Sequence, residues 1–473
     1  MPRDGKTELR SSESERTRPS RRQFIGGAAT AASVVALAGC TGGGGDGGDG
    51  GDGGGGDGGD GGSTGEADVA DEIAIAAVEG SGRLFKRLIN DYVQDDAGVQ
   101  VNVSLFPYAN LFEKTSSVLN TQGQAYDIVY MDDPWFPQLA MDVDPIRQWM
   151  PEDIPEEQII DTTIDIATWP APRGPIVPSA EGMEEQLRGQ IVVGNTQLFA
   201  YNEAYYEQVG ASAPPKTWDD VLSAGQAIDE QIDGANGYII RGKRGNPINA
   251  NFFGLGNCRI GNMFDENWRY QWDSDRGVNT LDFYVNDLES ISPDGVTSFD
   301  SDQVLSGLAD GSAAQSPAWP SAASLLLDPE QADEADNIAF TPIPEGVRRA
   351  PQQGNWIAGI NSYVSDAKKR AAGRVIRSTI SKEAQNRYVE LGGVPFRHDT
   401  FQDNMDAQQW FQALYDSLQT AQWRPRTPLW NEIAVTQGQN LNSALSGSTS
   451  PEEAMTTIND EIESTLEDAG YYE

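Results

Sequence analysis

Apolar and polar positions alternate in a way that divides the chain from residue 71 onward into short strands and longer amphipathic helices. "DEIAIAAVEGSG", residues 71–82, is an apolar strand that runs into a glycine loop. "RLFKRLINDYVQDDAG" follows and places Leu84, Leu88, Ile89, Tyr92 and Val93 on one helical face. "GVQVNVSLF", residues 98–106, alternates with period two, and "AYDIVYMDDPW", residues 125–135, reads as a buried strand ending in a loop. Strand, helix, strand and a further strand in this order predict an α/β sheet with right-handed crossovers. Ligands of such sheets bind beyond the carboxyl ends of the strands. Glu79–Gly82 and Asp132–Trp135 fall on adjacent loops there.

Helix boundaries are also written locally. Thr217 followed three residues later by Asp220 predicts a capping box ahead of "WDDVLSAGQAI". Residues 366–391 read as one helical region closed by Gly392–Gly393. In residues 448–470 Ser450 caps, Pro451 takes the first turn, two glutamates complement the dipole and Gly470 stops the helix.

The first 68 residues follow a different pattern. "PSRRQF", residues 19–24, resembles the twin-arginine export signal. Phe24 to Ala38 is uncharged for 15 residues, short of the roughly 20 that a membrane-spanning helix needs. That length suits a signal peptide. "LAGC", residues 37–40, resembles the lipobox at which prolipoproteins are cleaved and the cysteine acquires diacylglycerol. Residues 1–39 are therefore expected to be a signal peptide and Cys40 a lipidation site. Residues 41–65, with 17 Gly and five Asp, cannot offset ordering entropy by apolar burial. Residues 40–68 are accordingly expected to be a linker, whose Gly-rich coil would span roughly 25–30 Å.

Composition narrows the setting. Asp and Glu total 72 against 33 Lys and Arg, a net charge of −39. Such a surface repels phosphate backbones, so nucleic-acid binding is disfavoured. The 11 Trp, 15 Tyr and 15 Phe can build a sizeable core, and the acidity then reads as solvation in a salty medium, as in a halophile's secreted protein. About 400 residues remain after the leader and linker, enough for two domains. With Cys40 modified, Cys258 has no disulfide partner and is expected to be a small buried hydrophobe.

The succession of segments resembles the extracellular solute-binding proteins of ABC importers, in the maltose-binding-protein-like group. "YDIVYMDDPW" is similar to that family's strand and ligand loop. "GQIVVGNTQLFAYNEAYYEQVGASAPPKTWDDV", residues 189–221, is similar to its crossover strand, Tyr-Asn pair, Gly turn and helix start. "DGSAAQSPAWPS" (310–321), "IAFTPIPEG" (338–346) and "LSGSTSPEEAM" (445–455) follow in the family's order, with Gln315 where Met is common. The resemblance implies the type II periplasmic-binding-protein-like fold: two α/β lobes with a ligand cleft between them. It places the crossings near 190–196 and 345–357. Lobe one would comprise 69–193 plus 355–412, and lobe two 195–345 plus 413–473.

A sugar presents hydroxyls at its rim and C–H groups on its faces, so its site needs carboxylates and amides in the plane and rings above or below. From the strand-end loops the candidates are Glu79, Ser81, Asp132, Asp133 and Trp135. The resemblance adds Trp319, Trp430, and Asn355 with Trp356 in "QQGNWIAGI". Asn251, Arg397 and Tyr201 are further candidates, although Tyr201 is of a type more often structural.

The implied function is capture of a small solute, a mono- or oligosaccharide, by lobe closure at the outer membrane surface. Delivery would be to ABC permease subunits by a lipid-anchored monomer, without cofactor, obligate metal or covalent chemistry. A polyamine is the rival ligand, because Asp132, Asp133 and Trp135 could form an acid-and-aromatic box. An anionic ligand would want converging Arg or Lys, and the loops offer Arg397, Arg424 and Arg426. A secreted glycosidase would need two carboxylates roughly 5–10 Å apart. There is no G-x-S-x-G, H-E-x-x-H or P-loop, and the one histidine, His398, has no flanking motif. A structural surface protein would favour internal repeats, and none appears beyond the Gly-Asp stretch.

Overall fold

A computed structural model of the protein describes residues 68–472. The twin-arginine signal, Cys40 and nearly all of the glycine–aspartate linker lie outside the described residues.

Eleven strands are present in the described chain: β1 Glu72–Val78, β2 Gln100–Phe106, β3 Ile128–Asp132, β4 Val143–Asp144, β5 Thr168–Trp169, β6 Gln186–Leu187, β7 Gln190–Val193, β8 Leu198–Asn202, β9 Gln315–Ala318, β10 Ile338–Pro342 and β11 Trp356–Asn361. The larger sheet has the order β2-β1-β3-β11-β4, with β7 also pairing β11. β1 runs parallel to β2 and β3, whereas β11 is antiparallel to β3, β4 and β7. A second sheet, β10-β8-β9, is antiparallel throughout. β5 and β6 form a small separate hairpin.

Burial explains these choices. Successive side chains of a strand face opposite sides. All five residues of β3 are buried, and so are the last four of β1, so both faces of the larger sheet are covered. Helices Ser81–Leu88, Tyr108–Asn120 and Asp366–Thr379 pack on it. β2, at the edge, alternates, with Val101 and Val103 inside.

The capping box of Thr217 and Asp220 is formed and opens helix Trp218–Gln231. Ser450 Oγ accepts from the Glu453 N–H at the start of Pro451–Asp468, and Gly470 follows with φ of 76°. One helical reading is corrected. Residues 366–391 are two helices, Asp366–Thr379 and Lys382–Glu390. The break falls at Ser381, whose hydroxyl accepts from the Ala384 N–H and begins a new helix, a local bond that competes with helix continuation. The helix after β1 also starts two residues earlier than the pattern suggested and passes through a π-helical turn, Ile89–Val93.

The two sheets belong to two lobes, and the chain passes between them in residues 194–197 and again in 343–355. These passages are stitched together. Gly354 N–H donates to the Asn195 carbonyl at 3.0 Å, and Asn195 Nδ2 donates to the Gly354 carbonyl at 3.0 Å. Gln197 N–H and Thr196 Oγ1 both donate to the Gln352 carbonyl. A third strand of chain joins at Gln422, whose carbonyl accepts from Gln353 N–H at 2.8 Å.

Candidate functional site

A cavity of about 980 Å³ opens where the carboxyl ends of β1 and β3 meet the crossings. Each wall follows from the fold. β1 delivers Glu79, exposed, and Gly80 in a left-handed conformation (φ 77°) turns the chain so that Ser81 opens the next helix at the cavity. β3 ends at Asp132. β11 runs antiparallel to it in a register that sets Trp356 directly opposite Asp132. Tyr108, the first residue of its helix, leans over both, its ring 6.0 Å from that of Trp356.

Trp319, just beyond β9, forms the facing side. Its ring lies against Gly354 so closely that a Cβ there would stand 2.6 Å from a ring carbon. Glycine at 354 is thus what lets the indole reach the crossing. Gln352 also lines the cavity. Its side-chain amide is buried, and neither Oε1 nor Nε2 has a hydrogen-bond partner. An unpartnered buried amide at the edge of a cavity is costly.

Asp132 is held at both carboxylate oxygens. Oδ2 accepts from Tyr108 OH at 2.8 Å, and Oδ1 accepts from Arg424 Nη2 at 3.0 Å and from the Asp133 N–H at 3.0 Å. Arg424 also grips Asp133, through Nε at 3.1 Å and Nη2 at 2.7 Å. Burial pushes the Asp133 carboxyl up to about 6, with Arg424 opposing the rise and Asp132 adding to it. Burial alone would pull the Arg424 guanidinium down, but the two carboxylates outweigh it and hold it above the ordinary arginine value. Tyr108 is 40% exposed as a residue, but its hydroxyl is enclosed against Asp132; that burial, then Asp132, drives the hydroxyl well above its usual value, so it remains a donor.

Of the candidates chosen from sequence, Glu79, Ser81, Asp132, Trp319 and Trp356 line the cavity. Asp133, Trp135, Asn251, Asn355 and Trp430 do not line it. Asp133 is fully buried and committed to Arg424. Trp135 is buried and supports the wall, its ring 4.7 Å from Tyr108 and 5.7 Å from Trp356. Asn251 accepts from Tyr284 OH at 2.8 Å, while its neighbour Ala250 faces the cavity. One residue is about 100° of helix, enough to turn the amide away. Asn355 donates to the Val193 carbonyl and fastens the crossing. Trp430 packs edge-on against Phe253. Arg397 pairs with Asp399, Tyr201 OH donates to Glu203, and His398 meets Tyr415; none of the three lines the cavity. Tyr108, Asn195, Gln352 and Trp410 line it and were not chosen, and Arg424, considered only for an anionic ligand, lines it too. Their types are ordinary in sequence, and only the fold brings them to one place.

The two lobes, the stitched crossings and the cavity between them define the type II periplasmic-binding-protein fold. Residues 76–386 match the family of bacterial extracellular solute-binding proteins, and the chain belongs to that family. It is a family of binding proteins rather than enzymes, acting outside the cytoplasm. Among curated relatives, a probable amino-acid ABC transporter periplasmic-binding protein of Sinorhizobium fredii is 27% identical over 292 residues, 60% of this chain and 66% of that protein. A probable ABC transporter-binding protein of Deinococcus radiodurans is 23% identical over 274 residues, 55% of this chain and 65% of that one. The chain thus spans slightly less than two thirds of the length of either relative. Among solved structures, maltose-bound MalE3 of T. maritima superposes with a TM-score of 0.72 at 20% identity, covering 84% of this chain and 100% of that one. An ABC transporter solute-binding protein of Agrobacterium vitis with bound D-mannitol gives 0.69 at 22% identity, covering 85% and 100%.

Proposed function

We propose that the protein captures a neutral sugar or polyol between its lobes and delivers it to an ABC permease. The observation that carries this reading is the pair Trp319 and Trp356. They come from just beyond β9 and from β11, on different lobes, and line one cavity with Asp132 and Gln352. Rings for C–H faces beside acceptors and donors for hydroxyls are what a sugar requires. The named ligands of the solved structures above, maltose and D-mannitol, support the same class. A ligand touching both lobes would favour their closed arrangement by differential affinity.

The polyamine alternative draws less support. Asp133 and Trp135 do not line the cavity, and Asp132 is already paired with Arg424. A secreted carbohydrate-active enzyme would need a nucleophile or acid–base pair; of the lining carboxylates Glu79, Asp132 and Asp328, Asp132 is engaged by three donors. A second reading, an amino-acid solute, rests on the Sinorhizobium relative, a probable amino-acid ABC transporter periplasmic-binding protein. The leader motifs support export by the twin-arginine route, tethering through lipidated Cys40 and a monomer moving on its linker. We place lobe one at 69–193 plus 355–412 and lobe two at 195–345 plus 413–473, and the −39 charge supports a high-salt habitat.

The test is a tryptophan-fluorescence and calorimetric titration of the exported chain in high salt with maltose, mannitol, tagatose, an amino-acid set and spermidine. Saturable binding of a sugar or polyol is expected. Binding of amino acids or spermidine alone, or turnover of a glycan abolished by Asp132→Asn, overturns the reading.

A further inference from the structure

A second cavity, of about 250 Å³, lies apart from the first and is bordered by the third connecting segment, residues 422–426. Arg173, Arg348 and Arg426 line it, with Asn257, Trp268 and Trp423, and no aspartate or glutamate does. In a chain of net charge −39, three guanidinium groups around an acid-free cavity run against the prevailing charge.

The hydrogen-bond inventory shows what is missing. Arg426 is 4% exposed. Its Nη1 and Nη2 donate to the carbonyls of Asp133 and Ile166, and its buried Nε has no partner. Asn257 is 3% exposed, and its Nδ2 likewise has none. Arg348 donates from Nε to the Asn257 carbonyl at 2.9 Å and from Nη2 to Asn257 Oδ1 at 3.5 Å, with no carboxylate paired to it. Arg173 is anchored at its rim by Asp165 at 3.2 Å and stacks 4.3 Å from the Trp423 ring. The unmatched groups are all donors, and arginine has no acceptor to offer in return. Burial pulls Arg426 down to about 10, with Asp133 opposing the fall and Arg424 adding to it, and burial lowers Arg348 as well.

We infer that this cavity binds a small monocarboxylate, held by Arg348, Arg426 and Asn257 Nδ2. The carboxylate supplies the absent acceptor and charge, and Arg348 receives it through Nη1, its Nε and Nη2 being engaged by Asn257. The apolar walls, which include Phe253, Phe264 and Met263, suit an aliphatic tail better than a fully hydrated phosphate. This site is separate from the sugar cavity and does not rest on the solute proposed there.

The experiment is a thermal-unfolding titration of the whole chain with sodium propionate, replaced stepwise against sodium chloride at constant ionic strength. Ligand-detected NMR of propionate runs alongside it. A saturable rise in Tm with propionate is expected. Arg348→Gln should weaken the apparent affinity by roughly tenfold or more, the loss of a charge-assisted bond. Asn257→Asp, nearly isosteric, sets a carboxylate against the anion and should abolish the response. The inference is overturned by no saturable shift, by an unchanged response in Asn257→Asp, or by chloride acting as well as propionate. Should Arg348→Gln not fold, Asn257→Asp and the NMR signal of the unaltered chain decide.

Discussion

Arg424→Met should cost the protein about 3–5 kcal/mol at pH 7, the range for stranding a buried charge by removing its partner. The side chains of Arg424, Asp132 and Asp133 are 7%, 9% and 0% exposed. Three charge-assisted bonds of 2.7–3.1 Å join them. Methionine keeps much of the length and removes the charge, so two adjacent carboxylates lose the cation bonded to both and keep only the weaker influence of Arg426 on Asp133. One of them relieves this by taking up a proton. Asp133 already stands at about 6 with Arg424 holding it down, so without Arg424 it rises further. A carboxyl whose folded-state pKa lies above its unfolded value of 3.8 contributes stability below the unfolded pKa, and that contribution is lost as pH rises through the folded pKa. The deficit of Arg424→Met must therefore be larger at pH 7 than at pH 5. Urea unfolding followed by tryptophan fluorescence, at fixed ionic strength and both pH values, measures this. Adding Asp133→Asn to the variant should restore part of the loss at pH 7. A deficit below about 1 kcal/mol, or one equal at both pH values, would refute the account of this wall.

The other predictions concern the cavity and the core. Gly354→Ala puts a methyl 2.6 Å from the Trp319 ring and 3.1 Å from Asn195 Nδ2, on a backbone pinned by Asn195; it should cost about 1–3 kcal/mol by overpacking and weaken solute binding, whereas higher Tm with unaltered affinity would contradict the packing. Trp319→Ala should lower solute affinity with little change in urea midpoint, because Trp319 is half-buried. Trp356→Ala should lower both, with about 3–5 kcal/mol lost, since its ring is 9% exposed and packed among Tyr108, Tyr130 and Trp135. Burial pushes the Cys258 thiol up to about 11; in a Cys40→Ser chain it should resist a maleimide until urea unfolds the protein, and prompt labelling in the native state would contradict its burial.

What could be read in the sequence was what short-range chemistry decides. The strand at residues 72–78, the capping box of Thr217 and Asp220, and the Ser450–Pro451 start of the last helix each depend on residues a few positions apart. The loops carrying Glu79, Ser81 and Asp132 followed from one topological rule about parallel strands, and these residues reach the cavity. Tertiary structure alone decided the rest. Asp132 and Asp133 are neighbours of identical type, yet one lines the cavity and the other is sealed against Arg424, a partner 291 residues away. Ala250 faces the cavity and Asn251 does not because of one helical step. The reason is physical: local bonds set where an element begins and ends, but a side chain's charge state and task are set by what other segments bring within a few ångströms of it.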